Sequence, residues 1–273
     1  MATYVVGDVQ GCWGAFQRLL ATLAFNPQKD HMLFAGDLIA RGEDSTAIMQ
    51  WVLDHQDACS AVLGNHDLNF LAVASGIRDA KPKDKTQPLL DSSICRDVID
   101  WYRQCPLAQD LPEHNALVIH AGVWPGFDRD TLLTEIELVH QRLRADEWGA
   151  SLRSMYGNTP AHFDQATTDD EKARFLINAC TRMRFVDPKS FALDLSCKDA
   201  PELAPKNMCA WMDAPKKIPV DRQILFGHWA TLNGRKNDSH IVALDTGCVW
   251  GGYLTDFSAC GFCIQAPVKQ FMN

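Results

Sequence analysis

The sequence predicts an α/β fold, and two patterns carry that prediction. In the first third of the chain, short apolar runs rich in β-branched residues alternate with amphipathic segments. Further apolar runs return near the C-terminal end, after a long stretch in which helical patterns dominate. Strands that alternate with helices are typical of a sheet covered by helices. We therefore expect one domain over residues 1–273, with helical insertions at about 68–111 and 127–219.

The individual elements follow from local patterns. After a first strand at TYVVGD, the side chains of Trp13, Phe16, Leu20 and Leu23 fall on one face of a helix. Ser45 is placed to cap a second helix, and the polar segment KPKDKTQP is expected to form an exposed loop. The other predicted strands are HMLFAGD, SAVLGNHD, ALVIHAG, QILFGHWA and HIVALDTGC, and GGYLTDFSACGFCIQAPV is expected to form a hairpin.

Composition excludes several classes of protein. With 273 residues, 47% of them hydrophobic, the chain has enough apolar surface for a large core, so disorder is not expected. A net charge of -8 and a pI near 5.5 provide no basic field for nucleic acid, so an anionic substrate needs locally placed cations. The sequence shows no leader-like segment and no run of eighteen apolar residues, so we expect a cytoplasmic protein without a membrane partner.

The ten cysteines are expected to be reduced and mostly buried, because disulfide frameworks are typical of small secreted domains. Cys260 and Cys263 have the CxxC spacing of a zinc site, but no second pair accompanies them. They also lie in the alternating segment LTDFSACGFCIQ, which is typical of a strand. We therefore interpret them as structural residues.

Five predicted strands end in a residue that can bind a metal ion. In open α/β sheets, ligands bind beyond the carboxyl ends of the strands, so these side chains are expected to converge on one site. Glycine directly precedes four of them, where a chain that turns close to a ligand needs room. Each residue alone has an ordinary explanation as a turn or core residue. Their recurrence at the same position favours a metal site formed by Asp8, Asp37, Asn65, His120 and His228.

This mixed set of oxygen and nitrogen ligands suits Mn²⁺, Fe, Co²⁺ or Zn²⁺. If Asp37 bridges two ions, the pair can hold a hydroxide that attacks phosphorus in line. Arg41 lies in the same loop as Asp37 and is therefore a candidate phosphate ligand. Arg182 and Arg184 are further candidates, although an arginine on a helix is usually solvated.

Two residues after the third strand have candidate catalytic roles. His66 follows Asn65 and cannot easily point at the same ion, which leaves its imidazole free to donate a proton to the leaving oxygen. Asp67 is expected to orient that imidazole, and its alternative role is to cap the following helix. The two roles are compatible.

The ordered motifs GDVQG, GDLIARG, GNHD, HAG and FGHW resemble those of the calcineurin-like metallophosphoesterases. Within that superfamily, several stretches are similar to the bacterial symmetrical bis(5'-nucleosyl)-tetraphosphatases. The resemblance extends from Tyr4 to about Leu254, and its last motifs are not shared with the protein phosphatases. The stretches that carry it are MATYVVGDVQGC, VLGNHDLNFLAV, AKPKDKTQPLL, NACTRMRF and ALDTGCVWGG.

This resemblance implies a four-layer α-β-β-α sandwich and hydrolysis of diadenosine tetraphosphate at its central bridge, which releases two ADP. It implies two divalent ions, and we expect Mn²⁺, with Co²⁺ or Mg²⁺ as alternatives. It makes Arg41 a phosphate ligand and His66 the proton donor, with Asp67 as its partner. Arg182 and Arg184 match a stretch that we interpret as a phosphate clamp. The first ion is assigned to Asp8 and Asp37, and the second to Asp37, Asn65, His120 and His228.

Gln10 departs from the wider superfamily, most members of which have a histidine ligand of the first ion at this position. The tetraphosphatase group resembles the present chain in having glutamine there. A glutamine oxygen is a neutral, harder donor than imidazole, so we expect a loosely held first ion, whether Gln10 or water binds it. Trp250, in the turn VWGG, is a candidate surface for stacking an adenine base, although ordinary packing also explains it.

Three alternative functions stay open at this point. A protein serine/threonine phosphatase would use the same ions but needs an open groove for a peptide, which the helical insertion disfavours. A hydrolase of nucleoside-tetraphosphate caps on RNA 5' ends would cleave the same polyphosphate, and the two activities can coexist. A pseudo-enzyme that only binds nucleotide is conceivable because of Gln10, but the five retained ligands argue against it. No obligate protein partner is expected.

Overall fold

Two β-sheets stack at the centre of the protein, in a computed structural model that describes residues 2–215, 217, 222–234, 240–258 and 263–267. In chain order, the strands are β1 (Thr3–Val6), β2 (His31–Phe34), β3 (Cys59–Ala61), β4 (Ala108–Leu111), β5 (Ala116–Ile119), β6 (Phe185–Val186), β7 (Leu193–Asp194), β8 (Cys209–Ala210), β9 (Gln223–Phe226), β10 (Ile241–Ala243), β11 (Asp245–Thr246), β12 (Tyr253–Ser258) and β13 (Cys263–Pro267). The first sheet has the order β11-β12-β1-β2-β3, with β13 beside β12, and the second has the order β10-β9-β5-β4.

Helices connect and cover the strands. They are α1 (Trp13–Leu23), α2 (Ser45–Asp54), α3 (Asn65–Ala74), α4 (Gln87–Leu90), α5 (Cys95–Gln104), α6 (Arg129–Arg144), α7 (Trp148–Arg153) and α8 (Asp169–Arg182). Helix α1 packs on β12 and β13, whereas α5, α7 and α8 pack on α6. The arrangement is the α/β sandwich that the sequence predicts.

Alternation along the strands explains why the two sheets stack. In β1 and β2, Val5 and Leu33 point to one face, where they meet Val118 and Leu225 of the second sheet in a small apolar cluster. Their neighbours in sequence point the other way, into the larger cluster that includes the helices. Successive side chains of a strand face opposite sides of a sheet, so one apolar run supplies both interfaces.

The second predicted insertion contains a small sheet as well as helices. Strands β6, β7 and β8 pair antiparallel in the order β7-β6-β8, within the range 127–219 that the sequence pattern makes helical. The strands have two residues each, too short for a period-two pattern to reveal them. The first insertion also ends in a strand, β4, which pairs with β5.

Several local predictions need correction. Helix α2 is capped by Asp44, whose carboxylate accepts a hydrogen bond from the Ala47 amide, and the Ser45 hydroxyl instead accepts one from the Ala40 amide at 3.0 Å. On α1, the fully buried face includes Leu19, while Leu20 is only half-buried.

The segment KPKDKTQP differs from the exposed loop that its composition predicts. Its lysines are exposed, but Asp84 and Thr86 are buried. A short 3-10 helix, Pro82–Asp84, turns these two side chains inward.

The predicted C-terminal hairpin is present, because β12 and β13 pair antiparallel. Of the CxxC pair, Cys263 begins β13, and Cys260 lies outside the described residues. Within the part of the chain that the structure describes, no helix has the length and apolar character needed to cross a bilayer.

Candidate active site

Five side chains at strand ends converge on one site, where the sequence predicts a metal centre. Strands β1, β2 and β3 run parallel in one sheet, and β5 and β9 run parallel in the other. Their carboxyl ends therefore meet at the same edge of the sandwich. The ligand atoms of Asp8, Asp37 and His120 lie within 4.8 Å of one another, and all three residues are buried. Nε2 of His120 lies 3.4 Å from a carboxylate oxygen of Asp37.

Each of the two histidines presents one ring nitrogen to this site. Nδ1 of His120 donates to the Ala35 carbonyl at 2.8 Å, which turns Nε2 toward Asp37. A histidine held in this way through its second nitrogen is typical of metal ligands. Among the described residues, the buried Nε2 of His120 has no hydrogen bond of good geometry, and such unpaired buried groups are expected where a cation binds. His228 faces Asn65 through Nδ1, which lies 3.0 Å from the Asn65 side-chain amide.

The amide of Asn65 faces acceptors. One end of the amide lies 3.0 Å from the Thr181 carbonyl and 3.0 Å from Nδ1 of His228. If the side-chain nitrogen of Asn65 occupies this end, it donates to both atoms. If the side-chain oxygen occupies it, three acceptor atoms face one another without a donor. The orientation with the oxygen at this end is stable when a cation lies between Asn65 and His228, as the predicted ligand set requires.

The electrostatics of the site favour positive charge. Burial and the charge of Asp245 raise the pKa of Asp8 well above its usual value. Burial alone would lower the pKa of His120, but Asp37 and Asp8 raise it to about 10. Burial opposes ionisation of Asp37 as well, yet His120 and His66 hold its pKa at about 2. Without a metal ion, protons on Asp8 and His120 therefore compensate the negative charge of the clustered carboxylates. Bound cations would neutralise the same charge.

The glycines before the ligands are required for close approach. A Cβ atom on Gly64 would collide with a carboxylate oxygen of Asp37, and one on Gly227 would collide with a carboxylate oxygen of Asp8. At Gly36, whose φ of +92° already favours glycine, a Cβ would lie 2.6 Å from Nδ1 of His120. The structure confirms the prediction that the chain needs room at these turns.

Gln10 and Arg41 lie on two adjoining loops. Gln10 is buried with a φ of 45°, and its backbone N–H donates to the backbone carbonyl of Asp37 at 2.9 Å. Arg41 has a φ of 68°, and its amide donates to the Asp84 carbonyl at 2.8 Å. Nε of Arg41 lies 4.0 Å from the buried Asp84 carboxylate. Asp84 thus holds the arginine through both backbone and side chain, a contact that the polar KPKDKTQP pattern did not reveal.

Asp67 binds the backbone of the ligand loops. One carboxylate oxygen accepts from the amides of Asp37 and Gly64 at 2.8 Å each, and the other accepts from the Leu38 amide at 3.2 Å. The bond to Gly64 is the helix-capping contact that was the alternative role for this residue. The imidazole of His66, which the sequence interpretation gave Asp67 as a partner, is not among these contacts. Its position indicates that it supports the loops.

A cavity of about 270 Å³, which we call the metal pocket, lies over these ligands. Arg184 is largely buried and donates to the His228 carbonyl at 3.1 Å, and burial lowers its pKa to about 10. Arg182 donates to the side chains of Asn178 at 2.7 Å and Asn158 at 3.2 Å. Both arginines therefore reach the site although neither lies in a ligand loop. The predicted residues that line the metal pocket are Asp8, Gln10, Asp37, Arg41, Asn65, His66, Arg182, Arg184, His228 and Trp250, with His120 and Asp67 buried behind them.

Two charged residues that line the metal pocket, Asp245 and Lys198, are absent from the sequence prediction. Asp245 follows β10 as the other ligands follow their strands, so the run IVALD carried the same pattern. Its carboxylate is buried and accepts from the Gly247 amide at 3.0 Å, and burial raises its pKa to about 6. Lys198 lies in an irregular segment with no pattern that could have identified it.

Comparisons with known proteins agree with this geometry. The family model of calcineurin-like phosphoesterases matches residues 1–176. Over 257 residues, the chain is 42% identical to a symmetrical bis(5'-nucleosyl)-tetraphosphatase of Shewanella sp. (strain MR-7), with 93% of each protein covered. Over 255 residues, it is 40% identical to the protein of the same name from Haemophilus ducreyi, covering 93% of this chain and 94% of the relative.

Two solved structures share the fold. One is described, as a provisional assignment, as a diadenosine tetraphosphatase; its TM-score is 0.64 at 22% identity, over 98% of this chain and 94% of the other. The second is a protein serine/threonine phosphatase of Saccharomyces cerevisiae, with a TM-score of 0.59 at 12% identity, over 100% and 82% of the two chains. The chain therefore belongs to the calcineurin-like phosphoesterases and, within them, to the family of the symmetrical bis(5'-nucleosyl)-tetraphosphatases.

Proposed function

We propose that the protein hydrolyses diadenosine tetraphosphate at its central bridge and releases two molecules of ADP. The observation that carries this proposal is the metal pocket, in which strand-end carboxylates and imidazoles lie beside three arginines. The names of the relatives, symmetrical bis(5'-nucleosyl)-tetraphosphatases, support the same reaction. A polyanion needs local cations in a chain whose net charge is -8, and the arginines supply them.

The donor set fits two divalent ions, and we propose Mn²⁺, with Co²⁺ or Mg²⁺ as alternatives. Such ions, when bound, lower the pKa of water to generate a nucleophile and neutralise charge on the phosphates. The unpaired Nε2 of His120 and the acceptors that face the Asn65 amide, which include Nδ1 of His228, support the second of the two positions. The residues that would hold the ions are Asp8, Gln10 and Asp37 for the first, and Asp37, Asn65, His120 and His228 for the second.

The arginines have the task of binding the phosphates next to the scissile bond. Arg41 is held by Asp84, and Arg184 by the His228 carbonyl, so both guanidinium groups are positioned before the substrate arrives. Preorganised cations stabilise developing negative charge at little cost in reorganisation. Arg182 lies at the border of the metal pocket and can contact the next phosphate along the chain.

His66 is proposed to protonate the departing ADP oxygen. Its backbone amide donates to an Asp37 carboxylate oxygen at 2.8 Å, which holds the residue at the edge of the metal pocket. Because ADP is already a good leaving group, His66→Ala should reduce turnover less than loss of Asp37 does. A larger loss in the His66 variant would show that proton donation limits the reaction.

Nucleoside-tetraphosphate caps on RNA 5' ends are a second candidate substrate. Trp250, at the rim of the metal pocket, is 68% exposed, so a nucleoside stacked on it would be open to solvent on its far side. An RNA strand attached to that nucleoside would therefore extend into solvent without a steric clash. Release of a 5'-diphosphate end from capped RNA by the metal-loaded enzyme would establish this activity.

The primary test is product chromatography. The metal-stripped protein is reconstituted with Mn²⁺ or Co²⁺ and given diadenosine tetraphosphate. ADP as the sole product is the expected result. ATP together with AMP would move the cut and refute symmetrical cleavage, and no turnover with any metal, alongside activity on a phosphopeptide, would favour a protein phosphatase.

A further inference from the structure

A second cavity of about 310 Å³ lies beside the metal pocket, and we call it the basic pocket. The two cavities share a wall formed by Arg41, Asn65, His66 and Arg182. The remaining lining comes from the start of the first insertion, from the segment between α7 and α8, and from α8 itself. Nothing in the metal chemistry of the neighbouring site requires this second cavity.

The basic pocket concentrates positive charge in an acidic protein. Arg78, Lys81 and Lys83 line it together with the two shared arginines. Its one carboxylate among the lining residues is Asp84, which already lies 4.0 Å from Nε of Arg41. The lysines are exposed, so they are free to contact a ligand. A cavity with this charge fits a di- or triphosphate chain.

Part of the lining of the basic pocket is suited to a nucleoside. The ring of Tyr156 lines this pocket, with the Arg78 guanidinium 4.2 Å from its centroid. Leu68 and Ile177 add apolar surface, and the Tyr156 hydroxyl lies 3.3 Å from Oδ1 of Asn69. A flat apolar surface bordered by an amide is what a purine base needs for stacking and hydrogen bonding.

The shared wall determines which half of the substrate enters the basic pocket. His66 lines both cavities, and as the proposed proton donor it must face the oxygen that leaves. The leaving group therefore extends from the metal pocket past His66 and into the basic pocket. We propose that the basic pocket binds the leaving nucleoside diphosphate, with Lys81 and Lys83 on its phosphates and Tyr156 beside its base.

This inference rests on the proposed function and explains how cleavage becomes symmetrical. The two cavities have similar volumes, about 270 and 310 Å³, and lie on either side of the wall that carries His66. One nucleoside diphosphate on each side places the scissile bond in the middle of the tetraphosphate. The KPKDK segment then has two tasks: Asp84 holds Arg41, and the flanking lysines bind the leaving half.

The test compares Lys81→Gln/Lys83→Gln with Lys85→Gln. Lys85 is exposed on the same turn and does not line either pocket, so it is a control matched in residue type and location, with one lysine changed instead of two. The double variant should raise KM for diadenosine tetraphosphate and the inhibition constant of ADP about tenfold each, because two phosphate contacts are lost. The ratio of kcat/KM for the dinucleotide to that for p-nitrophenyl phosphate should fall about tenfold. The control should match the wild type.

Tyr156→Leu tests the contact with the base independently of the contacts with the phosphates. It should weaken inhibition by ADP but not by pyrophosphate, whereas the lysine double variant should weaken both. Equal weakening of ADP and pyrophosphate by Tyr156→Leu would refute the base contact. Unchanged KM and ADP inhibition in the lysine double variant would overturn the proposal, and so would an equal loss in the Lys85 control.

Calorimetric titration with ADP distinguishes this inference from the proposed function. If the wild type fails to cleave diadenosine tetraphosphate, the proposed function is refuted, yet ADP binding that weakens about tenfold in the double variant still supports a nucleotide site in the basic pocket. If ADP does not bind the wild type, or binds the variant equally well, the basic pocket is not that site.

Discussion

Replacing Asp67 by asparagine tests whether this residue supports the ligand loops or orients His66. The carboxylate accepts from the amides of Asp37, Gly64 and Leu38. An asparagine has one acceptor oxygen, so at best it keeps the two bonds at 2.8 Å and turns its NH₂ group toward the Leu38 N–H. One bond is lost outright, and the other two lose their ionic acceptor.

The magnitude follows from these three bonds. A hydrogen bond to a charged group contributes about 1.5–3 kcal/mol, and a neutral one about 0.5–1.5 kcal/mol. Losing one and weakening two in a buried site costs roughly 3–5 kcal/mol of unfolding free energy, but the raised pKa of Asp67 shows that burial and the charge of Asp37 oppose its ionised form, and a neutral asparagine recovers part of that loss. We therefore expect a net loss of roughly 1–2 kcal/mol, which for a chain of this size corresponds to a fall in Tm of roughly 4 °C. Because Asp37 itself is held by Asp67, affinity for Mn²⁺ should fall as well.

The assay is thermal unfolding of the metal-free and Mn²⁺-loaded proteins, together with metal titration. Burial and the charge of Asp37 raise the pKa of Asp67 to about 6, so the measurement is made at about pH 8, where the carboxylate is ionised. If Asp67 acts by orienting His66 instead, Tm and metal affinity should stay at the wild-type values and only kcat should fall. In that case the Asp67→Asn effect on kcat would also vanish in a His66→Ala background, which would refute the supporting role.

Three further predictions concern other parts of the molecule. Gln10→His should tighten the first metal position, because imidazole is a stronger ligand than an amide for Mn²⁺, Co²⁺ or Zn²⁺; metal titration of both proteins checks this. Gly227→Ala should weaken metal binding and activity, because the added Cβ collides with an Asp8 carboxylate oxygen, at a cost of about 1–3 kcal/mol in stability. Gly14→Ala is the control, because φ of Gly14 also lies outside the left-handed region and its added Cβ would meet no atom of the described residues closer than 3.5 Å. His140 is buried, which lowers its pKa, and its Nε2 accepts from the Leu107 amide at 2.8 Å. The neutral ring therefore stabilises the fold above the usual pKa of histidine, and this stability is lost as pH falls below that value. Glutamine cannot take up a proton, so His140→Gln should lose less stability than the wild type between about pH 7.5 and 5.5. Urea unfolding of both proteins across this pH range checks this.

Each of these has a clear contrary result. Equal metal affinity of the wild type and the Gln10 variant would mean that this side chain does not contact the first ion. Normal metal binding by Gly227→Ala would show that the loop moves without disturbing Asp8. Parallel loss of stability in the wild type and the His140 variant would assign the acid sensitivity to other groups.

The sequence by itself predicted the candidate ligands and the edge of the sheets at which they lie. Asp8, Asp37 and Asn65 follow strands that an apolar run identifies, and parallel strands end at the same edge of a sheet, so their convergence needs no knowledge of loop packing. The predicted strand HIVALDTGC carries the same pattern at Asp245, but only the structure places this carboxylate in the metal pocket. Local periodicity therefore identified most of the candidate ligands.

Only the tertiary structure decided which residues support and surround that centre. Asp84 lies near Arg41 although the two residues are more than forty positions apart in the sequence. Asp67, at the start of α3, binds backbone amides of the loop that follows β2. The basic pocket needs Lys81 and Lys83 from one insertion to face Tyr156 from the other. A sequence pattern reports burial along one element, whereas these contacts depend on how separate loops pack together, which no local period encodes.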